Sequence, residues 1–185
     1  MARASVRASG MHKHALAAGC IALLVVGAVI FALHALGKAE GGGALGAGPL
    51  IADINLALEL LLVLGLTFGM LLARRDNIEA HRVNQTVWVL VNGALVIFIM
   101  VSAMASFKIP NWKALTDVGN AITVLHAIFG VLTVAAGAWL VLQMNDVLPA
   151  RWHVRWWKGL MRATLVGYWA VALLGIATYY YWYVA

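Results

Sequence analysis

The sequence has unusually few charged residues. Only 11% of its 185 residues are charged, whereas 64% are hydrophobic, and the mean hydropathy is +0.90. An ordinary soluble domain carries about a quarter charged residues. The composition therefore excludes a typical soluble domain and indicates a membrane protein.

Cysteine is almost absent as well, since Cys20 is the one cysteine in the chain. An internal disulfide and a multi-cysteine metal site are therefore excluded. The chain also lacks a phosphate-binding loop, a hydrolase nucleophile elbow, an HExxH motif and a basic surface interleaved with aromatic residues. No feature predicts a hydrolase, a transferase or a nucleic-acid partner, and we do not expect an enzyme.

What the chain does have is long apolar runs. A helix needs roughly 20 apolar residues to cross a bilayer. Five segments reach that length, and the connections between them are too short for a soluble domain: Ala15–Leu36, Leu50–Ala73, Thr86–Phe107, Val118–Gln143 and Leu160–Val184. The sequence predicts an all-α integral membrane protein with five transmembrane helices in contact with the lipid bilayer.

The few basic residues, which give a net charge of +6, are placed unevenly. Ten of the 13 precede the first segment or lie in or beside the second and fourth connections, namely Arg3, Arg7, Lys13, Arg74, Arg75, Arg82, Arg151, Arg155, Lys158 and Arg162. Cytoplasmic loops carry such an excess of Lys and Arg. The sequence therefore predicts a cytoplasmic N-terminus and an external C-terminus.

Composition also divides the chain into four parts. Residues 1–14 form a basic cytoplasmic lead, and residues 15–36 form the first helix. The glycine-rich residues 37–49 predict a flexible external tether, because glycine-rich chains behave as random coils. We therefore expect the first helix to be set somewhat apart from a four-helix bundle over residues 50–185.

Four ionisable residues, His34, Asp53, Glu59 and His126, lie within or at the rims of these spans. An ionisable group in hydrocarbon costs several kcal/mol unless it has a partner, so it indicates a functional site. The predicted topology places all four in the outer half of the membrane. Asn55 shares a helix face with Glu59 at spacing i, i+4, and His126 lies roughly 12 Å below the outer end of its helix.

Three chemistries suit such a site. Two neutral imidazoles can ligate a haem iron. Histidine together with the thioethers of Met100 and Met104 suits Cu(I). A histidine–carboxylate pair can carry protons or bind a quinol headgroup. The structural alternative is that His126 bonds across a helix interface, that Asp53 and Glu59 reach the headgroup region, and that the methionines fill the core.

Two further patterns concern packing. Asn92 lies near the middle of the third span, and we expect it to bond across the bundle. After the histidine, one face of the fourth predicted helix carries only small side chains, in the series His126, Gly130, Thr133 and Gly137. Such a face gives room for a flat macrocycle, but close helix–helix packing needs it equally.

Three short motifs resemble the CtaM/YozB-like family of small bacterial membrane proteins over roughly residues 52–183. They are Glu79-Ala80-His81-Arg82, Leu125-His126-Ala127-Ile128-Phe129-Gly130, and Lys158-Gly159-Leu160-Met161-Arg162 continuing through Trp169 and Gly175 to Tyr179. The family is associated with the assembly of haem-copper cytochrome oxidases. The resemblance implies functional histidines at His81 and His126, whereas a third family histidine is replaced around Trp156–Trp157 and His153 lies a few residues upstream.

Two hypotheses of different classes follow. The first is a protein of the bacterial cytoplasmic membrane that binds or handles haem b or copper and assists a respiratory haem-copper oxidase, with His34, His81 and His126 as candidate ligands. The second is a non-enzymatic accessory subunit of a larger respiratory or photosynthetic complex, in which the polar residues are interfacial contacts. A small quinol-linked cytochrome b is a third hypothesis.

Overall fold

The computed structural model describes residues 2–38, 40–45, 48–106 and 116–185, and all regular structure within these ranges is helical. A π-helix, Val96–Met100, lies within the third span, and a 3₁₀ turn, Ala150–Trp152, precedes the last helix. The α-helices are α1 (Ala2–Ala35), α2 (Leu50–Arg74), α3 (Ile78–Leu95), α4 (Val101–Ser106), α5 (Val118–Met144) and α6 (Trp157–Tyr183).

The prediction of five membrane-spanning helices is confirmed. The helices long and apolar enough to span are His14–Ala35, Leu50–Arg74, Ile78–Ala105, Val118–Met144 and Trp157–Tyr183. The third begins eight residues earlier than predicted, since the side chain of Asn77 accepts a hydrogen bond from Ala80 N and caps a polar first turn. His81 therefore lies within this helix.

The first helix is not set apart, contrary to expectation, but packs lengthwise against α3. Gly19 lies against Thr86 and Leu90 of α3, and further along α1 Gly27 lies against the ring of Phe98. Small residues let membrane helices approach closely, and the resulting contacts are favourable even without a hydrophobic driving force. The four-helix bundle and α1 therefore share one packed structure.

The glycine-rich connection also differs from a free tether where it is described. Gly42 pairs with Pro49 in an antiparallel bridge, and Gly43 N donates a hydrogen bond of 2.9 Å to Gly48 O. Leu45 N donates to the carboxylate of Asp53 over 2.8 Å. These bonds hold the connection against the first turn of α2.

The contact of α2 with α3 rests on two glycines one turn apart, Gly65 and Gly69. A Cβ at Gly65 would overlap the ring of Trp88, and one at Gly69 would overlap the amides of Asn84 and Gln85. Because the backbones approach so closely, α3 side chains donate hydrogen bonds to carbonyl oxygens of α2: Asn84 to Gly65 over 2.8 Å, Gln85 to Leu66 over 3.0 Å and His81 to Gly69 over 2.7 Å.

The remaining contacts close a ring in which α2 packs on α6, α6 on α5, and α5 on α3. The buried core between them includes Leu62, Val63, Leu66, Val89, Val141, Tyr168 and Ala172. Asn92 donates to the hydroxyl of Tyr168 over 3.3 Å, as the expected bond across the bundle. At the end where α5 terminates, Asn145 donates to Thr86 over 3.0 Å.

We predict that Gly65→Ala destabilises the protein by about 1–3 kcal/mol, because the added methyl group displaces the rigid Trp88 ring from a tight helix contact. The measurement is the unfolding free energy of the purified protein in mild detergent. Gly93→Ala is the matched control, since a Cβ there meets no other atom within 4 Å. Equal stability of the two variants would contradict the packing described.

Candidate functional site

One cavity of about 720 Å³ lies between α2, α5, α6 and the third span with its π-helix. Its walls are mainly aliphatic, with a small number of polar side chains among them: Asn55, Glu59, Asn92, Thr123, His126, Thr133, Tyr168, Thr178 and Tyr179. A largely apolar pocket with a few convergent polar groups is the usual form of a small-molecule site.

His126 enters this cavity from the third turn of α5. Its Nδ1 lies 3.1 Å from the carbonyl oxygen of Val171 on α6. A carbonyl can only accept, so Nδ1 carries the proton and Nε2 of the neutral ring keeps its lone pair. Metal-ligating histidines are oriented in the same way, by a backbone carbonyl that holds the other ring nitrogen.

Glu59 faces His126 from α2. Its Oε1 lies 3.9 Å from His126 Nε2, too far for a hydrogen bond, and has no hydrogen-bond partner among the described residues. The side chain is 7% exposed and fits against Gly175 of α6, where a Cβ would lie 2.6 Å from Oε2. When the ring is neutral, two acceptor atoms face each other across this gap, and a proton, a cation or another hydrogen-bond donor between them is favoured; when the ring is protonated, the two side chains form an ion pair.

Two further polar atoms in the cavity have no hydrogen-bond partner within the described part of the chain, Asn55 Oδ1 and Thr178 Oγ1. Asn55 lies one turn before Glu59, and Thr178 lies three residues after Gly175. Buried polar groups without partners are rare and each indicates a specific reason. Sequence reasoning found Asn55 but missed Thr178, because a lone threonine in a membrane helix commonly bonds to its own backbone.

The two candidate methionines also line the cavity. Met100 ends the π-helix, and Met104 lies one turn later in α4 with 40% of its surface exposed. π-helical turns inside α-helices are frequent at functional sites. Among the described residues, no three His, Cys, Asp or Glu side chains cluster as metal ligands, so a metal held by His126 and Glu59 would need ligands of other kinds, such as the thioethers.

The other candidate histidines lie elsewhere. His34 is exposed near the end of α1, where its Nδ1 donates to Ile30 O of the same helix over 3.0 Å. His81 is buried in the first turn of α3, at the opposite end of the bundle from His126, and its Nδ1 bonds to Gly69 O. His153 donates to Leu148 O within the connection before α6. The structure therefore brings neither His34 nor His81 to the cavity.

Both carboxylates are buried within the protein, since Asp53 and Glu59 are each 5% exposed. Asp53 lies outside the cavity and accepts hydrogen bonds from Leu45 N and from the hydroxyl of Tyr179. It thereby joins the glycine-rich connection to the last turns of α6, which is a structural role. His126 does bond across a helix interface, as the structural alternative proposed for this residue.

The fold and the cavity define the class of protein: a multi-pass α-helical membrane protein with a polar site buried inside its bundle. Comparison of the chain with protein-family models, curated proteins and solved structures finds no match in any of the three. The resemblance to the CtaM/YozB-like family therefore stays a prediction that rests on the three sequence motifs.

We predict that Asp53→Ala releases the glycine-rich connection, because Leu45 N and Tyr179 then lose their shared acceptor. Each lost bond to a charged group contributes about 1.5–3 kcal/mol. Amide hydrogen exchange of residues 40–45 should become faster, while exchange in α5 should not change. Glu40→Ala, at an exposed carboxylate of the same connection, is the control and should leave the protection of Leu45 as it is.

Proposed function

We propose that this chain binds or handles haem or copper at His126 and assists the assembly or function of a respiratory haem-copper oxidase. The observation that carries the proposal is the His126 ring, whose Nδ1 is fixed by Val171 O and whose Nε2 faces the cavity beside Glu59. The motif resemblance supports the oxidase as the partner. A haem iron bound there would supply one-electron redox chemistry.

The surroundings of His126 suit a haem. Gly130 lies one turn after the histidine, lines the cavity, and a Cβ there would meet nothing within 4 Å. Aliphatic residues of α2, α5 and the π-helix supply the apolar walls that a macrocycle needs. Among the described residues that line the cavity His126 is the one histidine, which supports a single axial ligand from the protein.

Copper is the second candidate, favoured by the methionines on the same cavity wall. Met100 and Met104 with His126 form a soft donor set of the kind Cu(I) prefers. A single ion, however, does not require a cavity of about 720 Å³. The size of the site therefore favours haem over copper.

The proposed location is a bacterial cytoplasmic membrane, with the N-terminus inside and the C-terminus outside. The support is the placement of basic residues on alternate connections. In this orientation His126 and Glu59 lie in the outer half of the bilayer, and His81 lies near the cytoplasmic face.

We predict that the protein, purified gently from membranes or reconstituted with haemin, shows a Soret band that His126→Ala abolishes, because the ring supplies the axial ligand. His34→Ala is the matched control and should keep the band, since His34 lies outside the cavity. Unfolding curves of both variants separate ligand loss from misfolding, and metal analysis detects copper.

A band that survives His126→Ala in full would contradict the proposed ligand. A colourless and metal-free preparation that copurifies in a fixed ratio with a large respiratory or photosynthetic complex would instead support an accessory subunit. In that case the unpartnered polar atoms of the cavity would meet groups of the partner complex.

The orientation yields a separate prediction. A reporter that is active only outside the cytoplasm, fused after Ala185, should be active, and the same reporter fused after Asp76 should be inactive. A C-terminal fusion active only in the cytoplasm would contradict the proposed topology.

A further inference from the structure

The cavity wall includes residues that face outward from the bundle. Val101 and Met104 of α4 are 58% and 40% exposed, and Val131 of α5 is 66% exposed, yet all three line the cavity. Ala103 and Ala135 are also exposed and also line the cavity. All five lie inside the third and fourth membrane-spanning helices, so this side of the cavity faces hydrocarbon.

The packing of these two spans explains the opening. Near their other ends α3 packs on α5, and the Asn145–Thr86 hydrogen bond joins them. Beyond the π-helix, α4 makes no extensive contact with α5 among the described residues. The two spans therefore diverge toward the His126 end, and small side chains at Ala103, Ala127 and Gly130 leave the space between them wide.

The unpartnered polar groups of the cavity lie on the side away from this gap. The unpartnered atoms of Asn55, Glu59 and Thr178 belong to α2 and α6, on the far side of the cavity from the gap. The residues at the gap are aliphatic or thioether. A molecule that entered through the gap would meet hydrogen-bonding groups at its inner edge and apolar groups at its outer edge.

We infer that an amphipathic ligand dissolved in the bilayer enters and leaves the cavity laterally, from the hydrocarbon. The portal is lined by Val101, Ala103, Met104, Val131 and Ala135. This inference rests on the proposed function for the identity of the ligand, haem, and it opposes a hydrated copper ion as the cargo. The portal itself is a property of the helix packing and is testable without any ligand.

The test measures which small molecules reach the cavity. A nitroxide is attached to Ala127→Cys in a Cys20→Ser background, and the protein is reconstituted in phosphatidylcholine–phosphatidylglycerol vesicles. Oxygen concentrates in hydrocarbon, whereas a nickel chelate stays in water. The label should collide often with oxygen and rarely with nickel. Should Ala127→Cys fold poorly, Val134→Cys is a second label position in the same wall.

Ala103→Trp should lower the oxygen accessibility of the label severalfold, because the indole fills the portal from the opposite helix. Ala105→Trp is the matched control: this alanine is exposed two residues away but does not line the cavity, and the oxygen accessibility should not change. In haem-containing vesicles, Ala103→Trp should also slow the appearance of the Soret band without reducing its final amplitude.

High nickel accessibility of the label would overturn the inference, because the route would then be aqueous. Low accessibility to both molecules would also overturn it, since the cavity would be sealed from the bilayer. A colourless protein whose label still collides with oxygen through an Ala103-sensitive route would reject haem as the ligand but retain the portal. The two failures are therefore distinguishable.

Discussion

The absence of water from the bilayer interior is the constraint on which this structure depends. Each polar side chain inside a span has to find its partner within the protein. His81, Asn84 and Gln85 do so at carbonyl oxygens of α2, which lie within reach only because Gly65 and Gly69 let the helices approach. Side-chain hydrogen bonding and close backbone packing therefore stabilise the same helix pair.

The cavity departs from this rule. Asn92 and Tyr168 pair with each other at its wall, whereas Asn55, Glu59 and Thr178 keep atoms without hydrogen-bond partners in the same largely apolar cavity. Leaving such groups unpaired costs stability, and proteins accept such costs chiefly at functional sites. Unpartnered atoms also occur at Arg82, Asn145 and Thr164, but in the cavity three of them line one space together with His126.

The two histidines that the sequence motifs bring forward differ in the same way. His81 donates to Gly69 O inside the tight α2–α3 contact, so its surroundings account for it as a packing residue. His126 uses one ring nitrogen for Val171 O and presents the other to the cavity, 3.9 Å from Oε1 of Glu59. A motif that contains a histidine does not separate these roles, because the difference lies in which groups surround Nε2.

Composition and hydropathy by themselves determined the helical class, the number of spans and nearly all their ends, because a bilayer demands long apolar helices whatever their neighbours. They also marked Glu59 and His126, since ionisable groups are rare in hydrocarbon. Only the tertiary structure placed α1 against α3, buried Asp53, excluded His34 and added Thr178 to the cavity. Those outcomes depend on how the helices are rotated and spaced relative to one another. Close contacts between glycines and side chains of neighbouring helices fix that arrangement, and the hydropathy of a single span does not encode it.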